Sequence, residues 1–140
     1  MKPSTTDAPR TVRITNRGRD QLITIKRRTG LEHWNVISRW ALALSLRENT
    51  PPPKLDQSGD SNVEMSWDVF SGGQRELWYA VALQRYSEKP GTHENLGQFI
   101  RAHVHRGIQM MSAQGQNASI VEMALSIALL PKNSAEFLTQ

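Results

Sequence analysis

Four groups of residues in this chain have side chains that could do chemistry. The first is His103-Val104-His105, which suggests a metal site. On a helix, residues two apart diverge by about 200°, so the two rings would not meet one ion. Each is better read as a local hydrogen-bonding group, or a phosphate contact when protonated. His103 is expected beside an apolar seam, with His105 and Arg106 toward the opposite face. The second is the pair of hydroxyls Ser38 and Ser45. They lie in a helical stretch with no histidine and aspartate in view to partner them. The third is Asp68 and Glu76, eight apart across a turn, with nothing to pair them as acid and base. The fourth is Ser71-Gly72-Gly73-Gln74, which lacks the lysine and spacing of a phosphate-cradling loop. The chain has no cysteine. Disulfides, thiolate metal sites, iron–sulfur clusters and cysteine nucleophiles are therefore excluded together. The expectation is a non-enzyme with no cofactor and no metal.

What remains is charge. Residues 1–30 carry eight basic side chains against two acidic ones, a local charge of +6, while the other 110 residues carry nine against eleven. A one-sided basic patch on a near-neutral body is the electrostatic footprint of a polyanion binder, although a solvated terminal arm has the same composition. The candidate phosphate contacts are Arg17, Arg19, Lys26, Arg27 and Arg28, followed by Arg10 and Arg13.

The elements that must position these residues read as a mainly α, small helical domain. Residues 1–9 have the composition of a disordered arm, residues 10–130 that of a single domain, and residues 131–140 that of a flexible tail. Val12 and Ile14 alternate with Thr11, Arg13 and Thr15, which predicts a short strand over residues 10–15. A basic helix over about residues 17–28 follows, with Asn16 as its expected cap and Gly30 as its left-handed stop. Residues 32–46 form a second helix, apolar around almost its whole circumference, which suggests coverage by another chain. Pro51-Pro52-Pro53 makes a loop. The alternation of Val63, Met65, Trp67 and Val69 predicts a second strand running to Phe70. Helices are expected over about 74–86, 94–113 and 118–130, and Gly107 within an apolar seam predicts a close-packed neighbour. Residues 1–30 contain no apolar leader, and the longest apolar runs are too short to span a bilayer. The expected setting is the cytoplasm, without membrane association.

A basic strand followed by helix, turn and helix is also the outline of a ribbon–helix–helix N-terminal unit. A transcriptional repressor of that type is the alternative reading, with Thr11, Arg13 and Thr15 facing a DNA groove.

Three segments, in order, resemble the DndE family of the bacterial DNA phosphorothioation system. The first is Arg28-Thr29-Gly30-Leu31 with Trp34 through Ala41 and Leu44-Ser45-Leu46. The second is Met65-Ser66-Trp67 with Phe70, Gly72, Leu77, Tyr79, Ala80 and Leu83. The third is Phe99 and Arg101 leading into His103-Val104-His105-Arg106-Gly107-Ile108. The resemblance implies a non-catalytic, mainly helical, DNA-binding accessory subunit. It would bind the duplex backbone as a homo-oligomer, expected to be a tetramer, with nicked duplex as a favoured form. Sulfur activation would belong to partner subunits of the DndC and DndD types, and the missing cysteine agrees with that division.

Overall fold

The computed structural model describes residues 4–55 and 59–113. The helix expected over 118–130 and the tail beyond it lie outside the described residues. The elements are β1 (Thr11–Thr15), α1 (Asn16–Thr29), α2 (Trp34–Leu46), β2 (Asp60–Ser66), α3 (Trp67–Ser71), α4 (Arg75–Glu88) and α5 (Leu96–Ala113). The mainly helical class and the strand–helix–turn–helix order of the N-terminal unit are both present.

β1 and β2 form a two-stranded antiparallel sheet in which Val12 faces Met65 and Arg13 faces Glu64. Val12 and Ile14 are buried, as their alternation requires. Thr15, rather than Asn16, caps α1. Thr15 keeps an extended backbone, and its hydroxyl accepts the Gly18 N–H at 3.0 Å. Asn16 is already helical, and its own N–H donates to the Gly59 carbonyl at 3.1 Å. α1 buries Gly18, Leu22, Ile25 and Thr29, one stripe at helical spacing, and ends at Gly30 with φ of 76°.

The expected second strand is cut short and begins earlier. Ser66 turns the chain into α3, because its hydroxyl accepts the Val69 N–H at 3.1 Å. Trp67 and Phe70, three apart on that helical turn, both face the core and stack with centroids 5.3 Å apart. Strand alternation would have placed them on opposite faces. Val69 is left 51% exposed as a consequence.

α2 and α5 form the central helix pair. Residues Ala41 to Leu46 of α2 are all buried within the single chain. Trp34, Val36 and Trp40 of the same helix are only partly buried. The two helices approach most closely at Gly107, where a Cβ would lie 1.8 Å from the Ala41 carbonyl oxygen.

The segment read as a disordered arm is tied down from its first described residues. The Thr5 carbonyl accepts the Leu96 N–H at 2.7 Å, and the Thr6 carbonyl accepts the Tyr79 hydroxyl at 3.0 Å. These bonds satisfy a donor at the start of α5 that has no partner inside the helix. Among the described residues, no helix is long and apolar enough to cross a membrane.

Candidate nucleic-acid interface

At about 100° per residue, the buried stripe of α1 divides its basic residues between two flanks. Arg17 and Arg28, together with Gln21, lie on the flank toward α5. Arg19 and Lys26 lie on the flank toward α2 and β2, and Arg27 points most directly away from the core. The seven candidates are therefore not one cluster.

Their partners divide them again. Arg13 is paired with Glu64 at 2.8 Å, and Arg19 lies 3.9 Å from Asp20. Arg28 is half-buried and reaches the carbonyls of Met111 and Ser112 at 3.4 Å. Its guanidinium thus sits over the last turn of α5, where positive charge meets the negative end of the helix dipole. Arg10, Arg17, Lys26 and Arg27 are exposed and have no carboxylate within 4.0 Å among the described residues. Of the seven candidates, these four are best placed to meet an external anion.

Both histidines are hydrogen-bonded locally, and His103 keeps its place at the apolar seam, but His105 departs from its expected position. His105 is buried, not outward-facing. The Thr15 N–H donates to its Nε2 at 3.0 Å, and its Nδ1 lies 2.8 Å from the Arg101 carbonyl. A backbone N–H can only donate and a carbonyl can only accept, so the ring is neutral with its proton on Nδ1. Burial, the largest influence, lowers its pKa in agreement with this. Gly18 makes room for the ring, since a Cβ there would lie 3.0 Å from His105 Cδ2.

His105 also closes the edge of β1 that faces away from β2. The Arg13 carbonyl on the same edge accepts Arg101 Nε at 2.8 Å, and Arg101 in turn pairs with Asp60. An intermolecular ribbon would need these same backbone groups. His105→Leu is expected to leave the Thr15 N–H unsatisfied and to destabilise the fold by about 1–3 kcal/mol. Amide hydrogen exchange at Thr15 checks this directly, because exchange there should accelerate more than elsewhere in β1.

His103 points the other way around α5. Its Nδ1 lies 2.8 Å from the Ser45 hydroxyl, so the serine has a histidine partner after all. The pair is not a nucleophile and base. Ser45 and His103 are 0% and 1% exposed, His103 Nε2 has no hydrogen-bond partner, and the Ser45 oxygen already accepts Arg106 Nε at 2.8 Å. Arg106, expected on the outer face, instead folds back on α2. Its second terminal nitrogen donates to the Ser45 carbonyl at 2.9 Å, and its first lies 3.4 Å from the Thr50 hydroxyl. Burial lowers the Arg106 pKa, and the field of Glu48 partly offsets this. The guanidinium stays charged regardless.

Lys54 and Arg106 are not among the candidate phosphate contacts. Together with Arg17 they line a cleft of about 330 Å³ between α1, α5 and the proline loop. No periodicity marks Lys54, which follows three prolines, and Arg106 carries no signal until Ser45 is known to lie beneath it.

No curated protein and no solved structure matches this chain. The family model for the DNA sulphur modification protein DndE matches residues 11–119, from the start of β1 past the end of α5. The match takes in both helices of the central pair, the sheet and every basic candidate except Arg10. The chain therefore belongs to the DndE family of DNA sulphur modification proteins.

Proposed function

We propose that this protein is a non-catalytic accessory subunit of the DNA sulphur modification machinery that holds duplex DNA by its backbone. The observation that carries this reading is the set Arg10, Arg17, Lys26 and Arg27, exposed and without carboxylate partners among the described residues, in a chain of this family. Cations that meet phosphates gain affinity by releasing counterions, and they do so without reading sequence. A non-catalytic role is supported by the sealed Ser45–His103 pair, whose hydroxyl is spent on Arg106.

The chain works as a homo-oligomer, a tetramer in the form the family resemblance implies, beside subunits of the DndC and DndD types. Several copies of a weak backbone grip would raise affinity through effective concentration without new contacts. Nicked duplex is a favoured substrate in this reading, and the cytoplasm, where the DNA is, is its place of action. A repressor of the ribbon type fits less well, because Arg101 and His105 occupy the β1 edge that a second chain would pair with.

The test is binding of a fluorescent duplex by the full chain and by Lys26→Ala/Arg27→Ala, across a range of salt. Both side chains are exposed, so the variant is expected to fold normally. Its affinity should fall, and its log–log salt slope should be shallower by roughly 1.8, at about 0.9 for each lost phosphate contact. Unchanged affinity and slope would remove these residues from the interface.

A further inference from the structure

Three cations without a contact ion pair among the described residues, Arg17, Lys54 and Arg106, converge on one cleft. Three cations near the sheet are matched: Arg13 by Glu64, Arg101 by Asp60, Arg75 by Asp68. In the cleft, among the described residues, none of the three has a carboxylate within 4.0 Å, and no acidic side chain lines the wall. Gln21 and Gln109 complete the polar lining.

Two features make this more than a patch of surface lysine and arginine. Arg106 is half-buried, and its hydrogen bonds all go to neutral partners, the Ser45 hydroxyl and carbonyl and the Thr50 hydroxyl, while Glu48 acts on it only through its field. A partly desolvated charge without a contact ion pair gains when an anion arrives to meet it. Those bonds use three of its five N–H groups and fix the plane of the guanidinium, leaving one N–H on each terminal nitrogen. The second feature is the first turn of α1. Thr15, Arg17 and Gly18 line the cleft, so it opens on the positive end of a 14-residue helix. A fixed guanidinium, two exposed cations and a helix N-terminus converge on one opening.

We infer that this cleft receives a single phosphate group of the duplex backbone, with Arg106 as the fixed donor and Arg17 and Lys54 closing on it from either side. The inference rests on the backbone-binding reading above and adds a specific seat to it. A free phosphate or nucleotide offers the same chemistry and is separated from the duplex by experiment.

The experiment follows backbone amide shifts of the full-length protein by NMR during three titrations: inorganic phosphate, a nucleoside diphosphate and a short duplex. The exposed Lys54→Glu variant is measured in parallel. The expected result is saturable movement of the Thr15, Arg17 and Gly18 amides with duplex. In Lys54→Glu these shifts should be lost, with a salt slope shallower by at least about 0.9. If duplex moves the amides of Lys26 and Arg27 but not those of the cleft, the cleft inference falls and the backbone reading stands. If no amide responds to duplex, both fall. If phosphate or the diphosphate moves the cleft amides and duplex does not, the cleft serves a free phosphate compound, and its assignment to DNA is overturned.

Discussion

Gly107→Ala is expected to destabilise the protein by at least about 3 kcal/mol, although alanine is the better helix former. The added Cβ would lie 1.8 Å from the Ala41 carbonyl oxygen, 2.3 Å from its carbon and 2.6 Å from its Cα. All three are backbone atoms of α2, so no rotamer change relieves the contact. The helices must part by more than about an ångström, and a packed core does not absorb such a shift by compressing. The loss spreads along the whole α2–α5 seam, where Ala41, Leu42, Val104 and Ile108 are buried. Total stabilities of small domains are roughly 5–15 kcal/mol, so this single methyl removes a large share. Gly97→Ala, in the first turn of the same helix, is the control. Its Cβ would meet only the Asn95 side-chain oxygen at 3.3 Å and the Pro9 Cβ at 3.4 Å. That change should stay within about 1 kcal/mol. Urea unfolding followed by tryptophan fluorescence measures both. A Gly107→Ala protein as stable as the parent would mean that α2 and α5 do not cross as described.

The second large effect is acid sensitivity centred on His103. The ring is 1% exposed, packs edge-on against Phe99 with centroids 4.4 Å apart, and has no partner at Nε2. Burial, followed by the charges of Arg106, His93 and Arg85, lowers its pKa to about 3. A histidine whose folded pKa lies below its unfolded value contributes stability that is fully present above the unfolded pKa, about 6.5. That contribution is lost as pH falls from there toward 3, because only the unfolded chain takes up the proton. A shift of this size corresponds to a loss on the order of 4–5 kcal/mol by pH 3. His105, also shifted downward, adds to the same slope. Urea midpoints should therefore fall steeply between about pH 6.5 and 4. His103→Leu is expected to flatten this dependence, whatever it costs at neutral pH. A slope unchanged in His103→Leu would show that the ring is not the buried neutral group.

Most of the architecture was legible because it rests on local rules. The Val12/Ile14 alternation, the Gly30 stop, and the apolar stripes of α1 and α5 all express themselves within a few residues. Gly107 was legible too, since a glycine inside an apolar stripe is costly unless something packs against it. The errors came from information that is not local. Val63 to Phe70 alternates like a strand, but the Ser66 cap and the shared burial of Trp67 and Phe70 outweigh that pattern. The apolar girth of α2 does not say which elements meet it, and α5, α3 and α1 cover much of it within the chain. His105 was placed outside by helical phase alone, whereas β1, some 90 residues earlier, brings a backbone donor to its ring.

The candidate interface was legible as charge and not as geometry. Composition located the basic residues 10–28. It could not separate Arg28, turned onto the end of α5, from Arg27, free to meet an anion. It also could not bring Lys54 and Arg106 beside Arg17, because their proximity depends on how the proline loop and α5 fold around the start of α1.

The proposed grip on DNA, through the backbone and by charge, has a direct signature in salt. The direct measurement is the salt dependence of affinity for two duplexes of unrelated sequence. If Arg10, Arg17, Lys26 and Arg27 each meet a phosphate, log affinity should fall linearly with log salt at a slope near about −3.6 per chain, and equally for both duplexes. Undetectable binding, a slope near zero, or a preference of roughly 10³-fold for one sequence would contradict it.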